Sequence, residues 1–313
     1  MLWCVNAPKI EAAHAGSAAA TGSSRACMLC GADAFDVLCV AGDRLGLVPD
    51  RFEVRRCREC GLAATWPDAS EVELARFYPD EYWGESSEPR HEWIVRTQRE
   101  KTSVLATHRP EGGRILDVGC GAGFFLRALD SESWDRYGVE ISARSASVAE
   151  RHLGEGRVFA GRLVDAAFDA ASFDVVTFWA SLEHVTDPAI NLALARKILQ
   201  TNGLLVVQVP NIASVQAVRF KGDWFALDLP RHRHHFSPDT LERFVRRAGF
   251  EPVALLRRSE THDPHALKQS LKTQLVHKRA VFGRARYYAA APFVKLVDRL
   301  TGGATLTLVA RPV

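Results

Sequence analysis

Three groups of residues in this chain have types and spacings that can do chemistry. The first is Asp117-Val118-Gly119-Cys120-Gly121-Ala122-Gly123, which follows the apolar run Arg114 to Val118 and precedes helical spacing at Phe124, Phe125, Leu126 and Leu129. Glycines at 119, 121 and 123 let the backbone turn tightly and let a ligand lie against the main chain. The second is Cys27-Met28-Leu29-Cys30-Gly31 with Cys57-Arg58-Glu59-Cys60-Gly61, two CxxCG knuckles whose thiolates suit a tetrahedral metal site. The third is made of Glu183-His184 and the run Arg231-His232-Arg233-His234-His235, whose imidazoles suit acid–base work.

The surroundings of the glycine turn narrow its ligand. No Gly-Lys-Ser/Thr follows Gly123, so a P-loop is excluded, and Phe124 stands where a dinucleotide fingerprint needs its third glycine. Tyr137-Gly138-Val139-Glu140 ends the next strand with a carboxylate placed to take both ribose hydroxyls of a nucleoside, with Ile141 beside it. Asp117 would repel a pyrophosphate but would hold a cation, which fits the sulfonium and amino group of S-adenosylmethionine. The candidate contacts to that cofactor are Asp117, Gly119, Cys120, Gly121, Gly123, Phe124, Glu140, Ile141 and Trp179.

Asp117 to Gly123, Gly138-Val139-Glu140, Phe173-Asp174-Val175-Val176 and Leu182-Glu183-His184-Val185, in this order, resemble the motifs of class I S-adenosylmethionine-dependent methyltransferases from about Glu111 to Phe250. The resemblance implies an α/β fold: a Rossmann-like seven-stranded methyltransferase sheet with helices on both faces. With the knuckles, a Tyr-rich linker and Pro230-Arg231-His232…His235-Phe236-Ser237, the chain is similar to a branch holding sugar C-methyltransferases and ubiquinone-type O-methyltransferase relatives. That branch's catalytic histidine falls on His232. Arg231 stands where its glutamate should be, which removes the carboxylate that would orient a base for carbanion chemistry. His232 is therefore the first candidate base for a hydroxyl acceptor, His184 the second, with Glu183 and His235 in support. A metal site among the histidines is set aside, because no carboxylate or cysteine lies among residues 231–235 to complete a facial set.

The elements that position these residues follow from punctuation and period. Strands are expected near 114–118, 137–140, 157–160, 174–179, 204–211, 252–257 and 305–310. Helices are expected over 91–108, 142–153, 188–199 and 241–248, with Ser142 and Ser237 as caps and Gly249 as a stop. In an open α/β sheet ligands bind beyond the carboxyl ends of strands, where Trp179 to His184 falls, and Trp179 is placed to cover adenine or acceptor. The organisation read from the chain is a disordered leader over 1–24, a small N-terminal zinc ribbon over 25–66, an aromatic lid and linker helix over 67–110, and a methyltransferase domain over 111–313. Phe77-Tyr78 to Tyr82-Trp83 supplies the lid's aromatics. A basic helical insertion over 262–300 fits either packing on the domain or peripheral contact with an acidic membrane.

With 313 residues, 47% hydrophobic content and net charge +3, the chain reads as a globular protein with no excess of basic charge for nucleic acid. The knuckle site is closed by four sulfurs, so its Zn2+ is structural. Cysteines used this way belong in a reducing compartment, so the expected location is cytoplasmic. The expected acceptor is a small molecule, a hydroxyl of a sugar nucleotide, lipid-linked glycan or other metabolite. The competing classes are an RNA methyltransferase that uses the ribbon as a substrate arm and a non-catalytic cofactor-binding scaffold.

Overall fold

The computed structural model describes residues 26–68, 76–78, 91–277, 292, 293, 296, 300 and 302–313. The leader over 1–24, Tyr82 and Trp83 of the lid, and most of 278–300 lie outside the described residues. Runs rich in Val, Leu and Phe with no polar alternation form strands buried on both faces, as a mostly parallel sheet requires. Leu204, Leu205, Val206 and Val207 are all at 0% exposure. The main sheet has the order β10-β11-β8-β7-β4-β5-β6. Its strands are β4 (Gly113–Val118), β5 (Trp134–Glu140), β6 (Val158–Ala160), β7 (Phe173–Trp179), β8 (Leu199–Pro210), β10 (Phe250–Leu256) and β11 (Thr305–Pro312). β11 runs antiparallel to both neighbours, and the other pairings are parallel.

Helix α1 (His91–His108) precedes β4, the one-turn α2 (Phe124–Arg127) leaves the glycine turn, and α3 (Ala143–Leu153) and α4 (Pro188–Ile198) are crossover helices. Ser142 caps α3 by accepting from Ser145 N, and Asp187 caps α4 by accepting from Ala189 and Ile190 N. After α5 (Val215–Phe220), Ser237 and Thr240 form a reciprocal capping box on α6 (Pro238–Arg247). Helix α7 (His262–His277) begins the insertion. β8 starts earlier than expected, because the chain pairs with β7 on both sides of the Thr201-Asn202-Gly203 turn: Phe173 faces Leu199 and Val175 faces Leu204. Among the described residues no helix is long and apolar enough to cross a membrane.

A second sheet joins the ribbon to the main body. β1 (Phe35–Gly42), β2 (Arg51–Cys57) and β3 (Ala63–Trp66) form an antiparallel meander, and its fourth strand, β9 (His234–His235), comes from the His-rich run. Ala63 pairs with His235 and Ala64 with His234. The sequence gives no sign of this pairing, since a two-residue strand has no period. The hydrophobic cores follow the same seam: Phe52, Val54 and Ala63 pack with Phe220, Trp224 and Leu227, while the knuckle residues Cys57 and Leu62 share a core with Phe236 and Phe244.

Candidate active site

β4 carries the buried carboxylate Asp117 one residue before its end and β5 ends on Glu140, at 2% and 3% exposure. Burial raises Asp117 to about 6, although Lys101 and the hydroxyl of Thr177, which donates to Asp117 Oδ1 at 2.7 Å, pull it down. Lys101, on α1, is lowered to about 8 by burial, and its ammonium lies 5.4 Å from the Trp179 ring and 5.7 Å from that of Phe125. Glu140 accepts from Gly121 N and Ser142 N, both at 2.8 Å, and so fixes the turn's shape; burial raises its carboxyl. The glycines differ in what they permit. A Cβ on Gly121 would meet nothing within 4 Å, so its Cα borders open space, whereas one on Gly119 would lie 2.6 Å from Ser181 Cβ. An open cradle between two buried carboxylates fits a nucleoside with a cationic tail. Cys120 contributes only main chain there, because its sulfur turns under β5, where a Cβ on Gly138 would be 2.5 Å from it. Trp179 is buried edge-on to Phe125 at 5.3 Å, and Ile141 is 64% exposed.

The contact of Gly119 with Ser181 sets the loop after β7 beside the cofactor turn, and Ser181 Oγ donates to Val118 O at 2.5 Å. Ala180 has φ 54°, left-handed backbone that an alanine adopts only under constraint. His184 N then donates to Ser181 O at 3.1 Å, closing a turn. The rings of His184 and His232 meet edge to face with centroids 4.5 Å apart. Glu183 is at 0% exposure, neither of its carboxylate oxygens has a hydrogen-bond partner, and burial pushes it up to about 8. This arrangement corrects two sequence expectations. The histidines do have a carboxylate among them, Glu183, brought by a different loop. His232 also does not lack acidic neighbours, since its Nε2 lies 3.9 Å from Glu183 Oε1 and 3.9 Å from Asp228 Oδ2.

Hydrogen bonding assigns the tautomer of His232: its Nδ1 is 2.9 Å from Ala226 O, and a carbonyl only accepts, so Nδ1 carries the proton and Nε2 keeps its lone pair. His184 Nδ1 is 3.1 Å from Arg231 O. Tyr78, expected only as part of a lid, places its hydroxyl 2.9 Å from His184 Nδ1. Burial lowers His184 to about 4 and holds His232 well below the ordinary histidine range. His235 stands apart from this cluster. Its Nε2 is 3.0 Å from Thr65 Oγ1 in the ribbon, and burial lowers it to about 3.

The ribbon fastens the His-rich run residue by residue. Thr65 Oγ1 donates to His232 O at 2.6 Å, and Thr65 N donates to Arg233 O at 3.0 Å. Arg233 pairs with Asp68 at 2.6 Å, Arg44 with Asp228 at 2.5 Å, and the fully buried Arg231 with Asp43 at 2.6 Å. Sequence reasoning missed Thr65 and Asp43 because their partners are remote in the chain, and Asp228 although Arg231 and His232 follow it within four residues. The sulfurs of Cys27, Cys30, Cys57 and Cys60 all lie within 4.8 Å of one another, with Cys27 3.4 Å from Cys60 and Cys30 3.6 Å from Cys57. Backbone amides of Leu29 and Cys30 face the Cys27 sulfur, and those of Glu59 and Cys60 face the Cys57 sulfur. Four converging sulfurs with amide support fit a structural Zn2+.

A family profile described as a methyltransferase domain matches residues 90–255. The chain belongs to the S-adenosylmethionine-dependent methyltransferases. It is 30% identical over 216 residues to a ubiquinone biosynthesis O-methyltransferase of Aromatoleum aromaticum, covering 60% of this chain and 86% of the relative. The corresponding protein of Ralstonia nicotianae is 30% identical over 220 residues, covering 62% and 87%. Among solved structures, a Galdieria sulphuraria protein assigned as a sarcosine dimethylglycine methyltransferase superposes with TM-score 0.52 at 14% identity, over 73% of this chain and 92% of that one, a likeness of fold alone. The glycine turn of this methyltransferase lies in the matched portion, while the cysteine cluster lies before residue 90, outside the family match.

Proposed function

We propose that the enzyme methylates a hydroxyl of a small acceptor, such as a sugar, a glycan lipid or another metabolite, in the cytoplasm, and that Glu183, His184 and His232 activate that hydroxyl. Asp117 faces the cofactor's cationic amino-acid part, Gly119, Gly121 and Gly123 cradle it, and Glu140 takes the ribose. Bound S-adenosylmethionine supplies a methyl group on a sulfonium, open to in-line displacement, so the protein's contribution is alignment, exclusion of water and removal of one proton. The observation that carries this reading is the edge-to-face pair of imidazoles, with His232 Nε2 3.9 Å from a buried Glu183 carboxylate that has no hydrogen-bond partner, on a loop that touches the glycine turn through Ser181 and Gly119. The O-methyltransferase names of the relatives support oxygen as the methylated atom.

The test is transfer of labelled methyl from S-adenosylmethionine to panels of nucleotide sugars, lipid-linked glycans and small alcohols or phenols, with bulk RNA as a control. His232→Ala should lower turnover of the accepted substrate by about 10²–10⁴-fold, the usual worth of a positioned base. Near-full turnover in that variant would refute the assignment, and label in RNA alone would replace it with the nucleic-acid reading.

A further inference from the structure

Thr65 puts a hydroxyl at a position whose shape valine would fill equally well. It lies on β3, between β2 and β9, opposite Val54, and is 3% exposed. A buried hydroxyl costs free energy unless its proton and lone pairs find partners. Both partners are in the His-rich run: Thr65 Oγ1 is 2.6 Å from His232 O and 3.0 Å from His235 Nε2. The hydroxyl has one proton, and a carbonyl only accepts, so that proton belongs to His232 O. The contact with His235 is then made by an Nε2–H that donates to Thr65 Oγ1. Burial keeps His235 neutral near neutral pH, so its Nδ1 retains the lone pair. His232 is the opposite tautomer, with its proton on Nδ1 facing Ala226 O. One hydroxyl therefore ties together two imidazoles that carry their protons on different nitrogens.

The side chain's contribution is separable from that of the strand. Thr65 N donates to Arg233 O at 3.0 Å, and Ala63 and Ala64 pair with His235 and His234, whatever side chain stands at position 65. What the hydroxyl adds is a hold on the peptide that follows His232, whose own N–H donates to Asp228 O at 3.0 Å. With both of its main-chain groups held, His232 presents its ring to that of His184 in one direction. We infer that Thr65 is a positioning residue for acceptor activation: its hydroxyl fixes the peptide of His232 and holds His235 in the Nε2–H tautomer. The inference rests on the acceptor reading above, in which His232 helps to take the acceptor's proton. It adds that this base is aligned by a side chain outside the portion matched by the family profile.

Full-length, zinc-loaded protein carrying isotope-labelled histidine is compared with Thr65→Val and Thr65→Ser by proton–nitrogen NMR of the imidazoles, with His232→Asn and His235→Asn assigning the signals. The expected wild-type pattern is a proton on Nδ1 of His232 and on Nε2 of His235. Thr65→Val should shift the His232 signals and free His235 to exchange tautomers, and Thr65→Ser should restore both. Ribbon zinc and calorimetric affinity for S-adenosylhomocysteine should be unchanged in all three proteins, which shows that they are folded. His235 protonated on Nδ1 in the wild type, His232 signals identical in wild type and Thr65→Val, or no rescue by serine would overturn the inference. On the acceptor found by the screen above, Thr65→Val should lower kcat by about 10–10²-fold with KM for S-adenosylmethionine little changed, and serine should recover most of it. Full turnover in Thr65→Val beside a His232→Ala variant that has lost it would sink the positioning role and keep the base. Turnover kept in both would refute the base, and with it any part of Thr65 in transfer, whatever the spectra show.

Discussion

Arg231→Met tests whether the ribbon and the His-rich run form one dry joint. Arg231 and Asp43 side chains are both at 0% exposure with 2.6 Å between them, and Arg231 also pairs with Asp228 at 2.7 Å and donates to Phe77 O at 3.2 Å. Methionine keeps most of the volume but leaves Asp43 with the amides of Leu45 and Leu47 and takes from Asp228 its paired guanidinium at 2.7 Å. Removing one partner of a buried pair costs about 3–5 kcal/mol, because the other charge stays behind. Against a total of roughly 5–15 kcal/mol for an ordinary domain, that is a large fraction. Urea unfolding near neutral pH reads the loss, and ribbon zinc is quantified on the same sample. Adding Asp43→Asn removes the stranded charge, so the double variant should be more stable than the summed single losses imply by about 2 kcal/mol, within the range measured for contacting pairs. A cost for Arg231→Met below about 1 kcal/mol, or single effects that add within about 0.5 kcal/mol, would refute the claim that this joint is buried and coupled.

Two predictions concern the cofactor turn. Asp117, raised to about 6 by burial, must be ionised to attract the cofactor's ammonium; affinity for S-adenosylhomocysteine should be full above that pH and fall below it by at most about tenfold per unit, with the dependence abolished in Asp117→Asn. Calorimetry across pH checks it, and a flat wild-type profile would remove Asp117 from the binding site. Gly119→Ala and Gly121→Ala should differ in kind. At Gly121, with φ 54° and open space around a Cβ, the backbone cost is about 1–2 kcal/mol and the main loss is in cofactor binding. At Gly119 the new Cβ would displace Ser181, so thermal stability falls as well; equal melting temperatures for the two variants would contradict the packing described here.

What could be read from the sequence was what is local. The glycine turn, the knuckles, the caps at Ser142 and Ser237 and most strands depend on neighbours within a few residues, and backbone sterics or side-chain period reveals them. The residues of the histidine cluster were legible one by one, in Leu182-Glu183-His184-Val185 and in the run from Arg231 to His235, but their meeting was not, because the two loops are distant in sequence. Glu183 and His184 are adjacent, which in an extended strand would point them apart; the left-handed Ala180 and the turn from Ser181 to His184 bring them to one side. Lys101 was invisible for a different reason, since a lysine on an amphipathic helix reads as a solvated residue until its ammonium is found over Trp179 and Phe125.

The ribbon's attachment also changes what an N-terminal zinc module contributes. A substrate arm would present an exposed basic face and would contact the body through few buried groups. Here its last strand pairs with β9, Thr65 holds the carbonyl of His232 and the ring of His235, and Asp43, Arg44 and Asp68 each fasten a charged residue between Asp228 and Arg233. The family match begins at residue 90 and contains the glycine turn, and His232 is held both from within it, by Asp228 O and Ala226 O, and from before it, by Thr65. Under the proposed assignments, cofactor binding and acceptor activation have different structural dependencies: the first rests on the ends of β4 and β5, and the second on a wall to which the cysteine-bearing segment contributes β3 and Thr65.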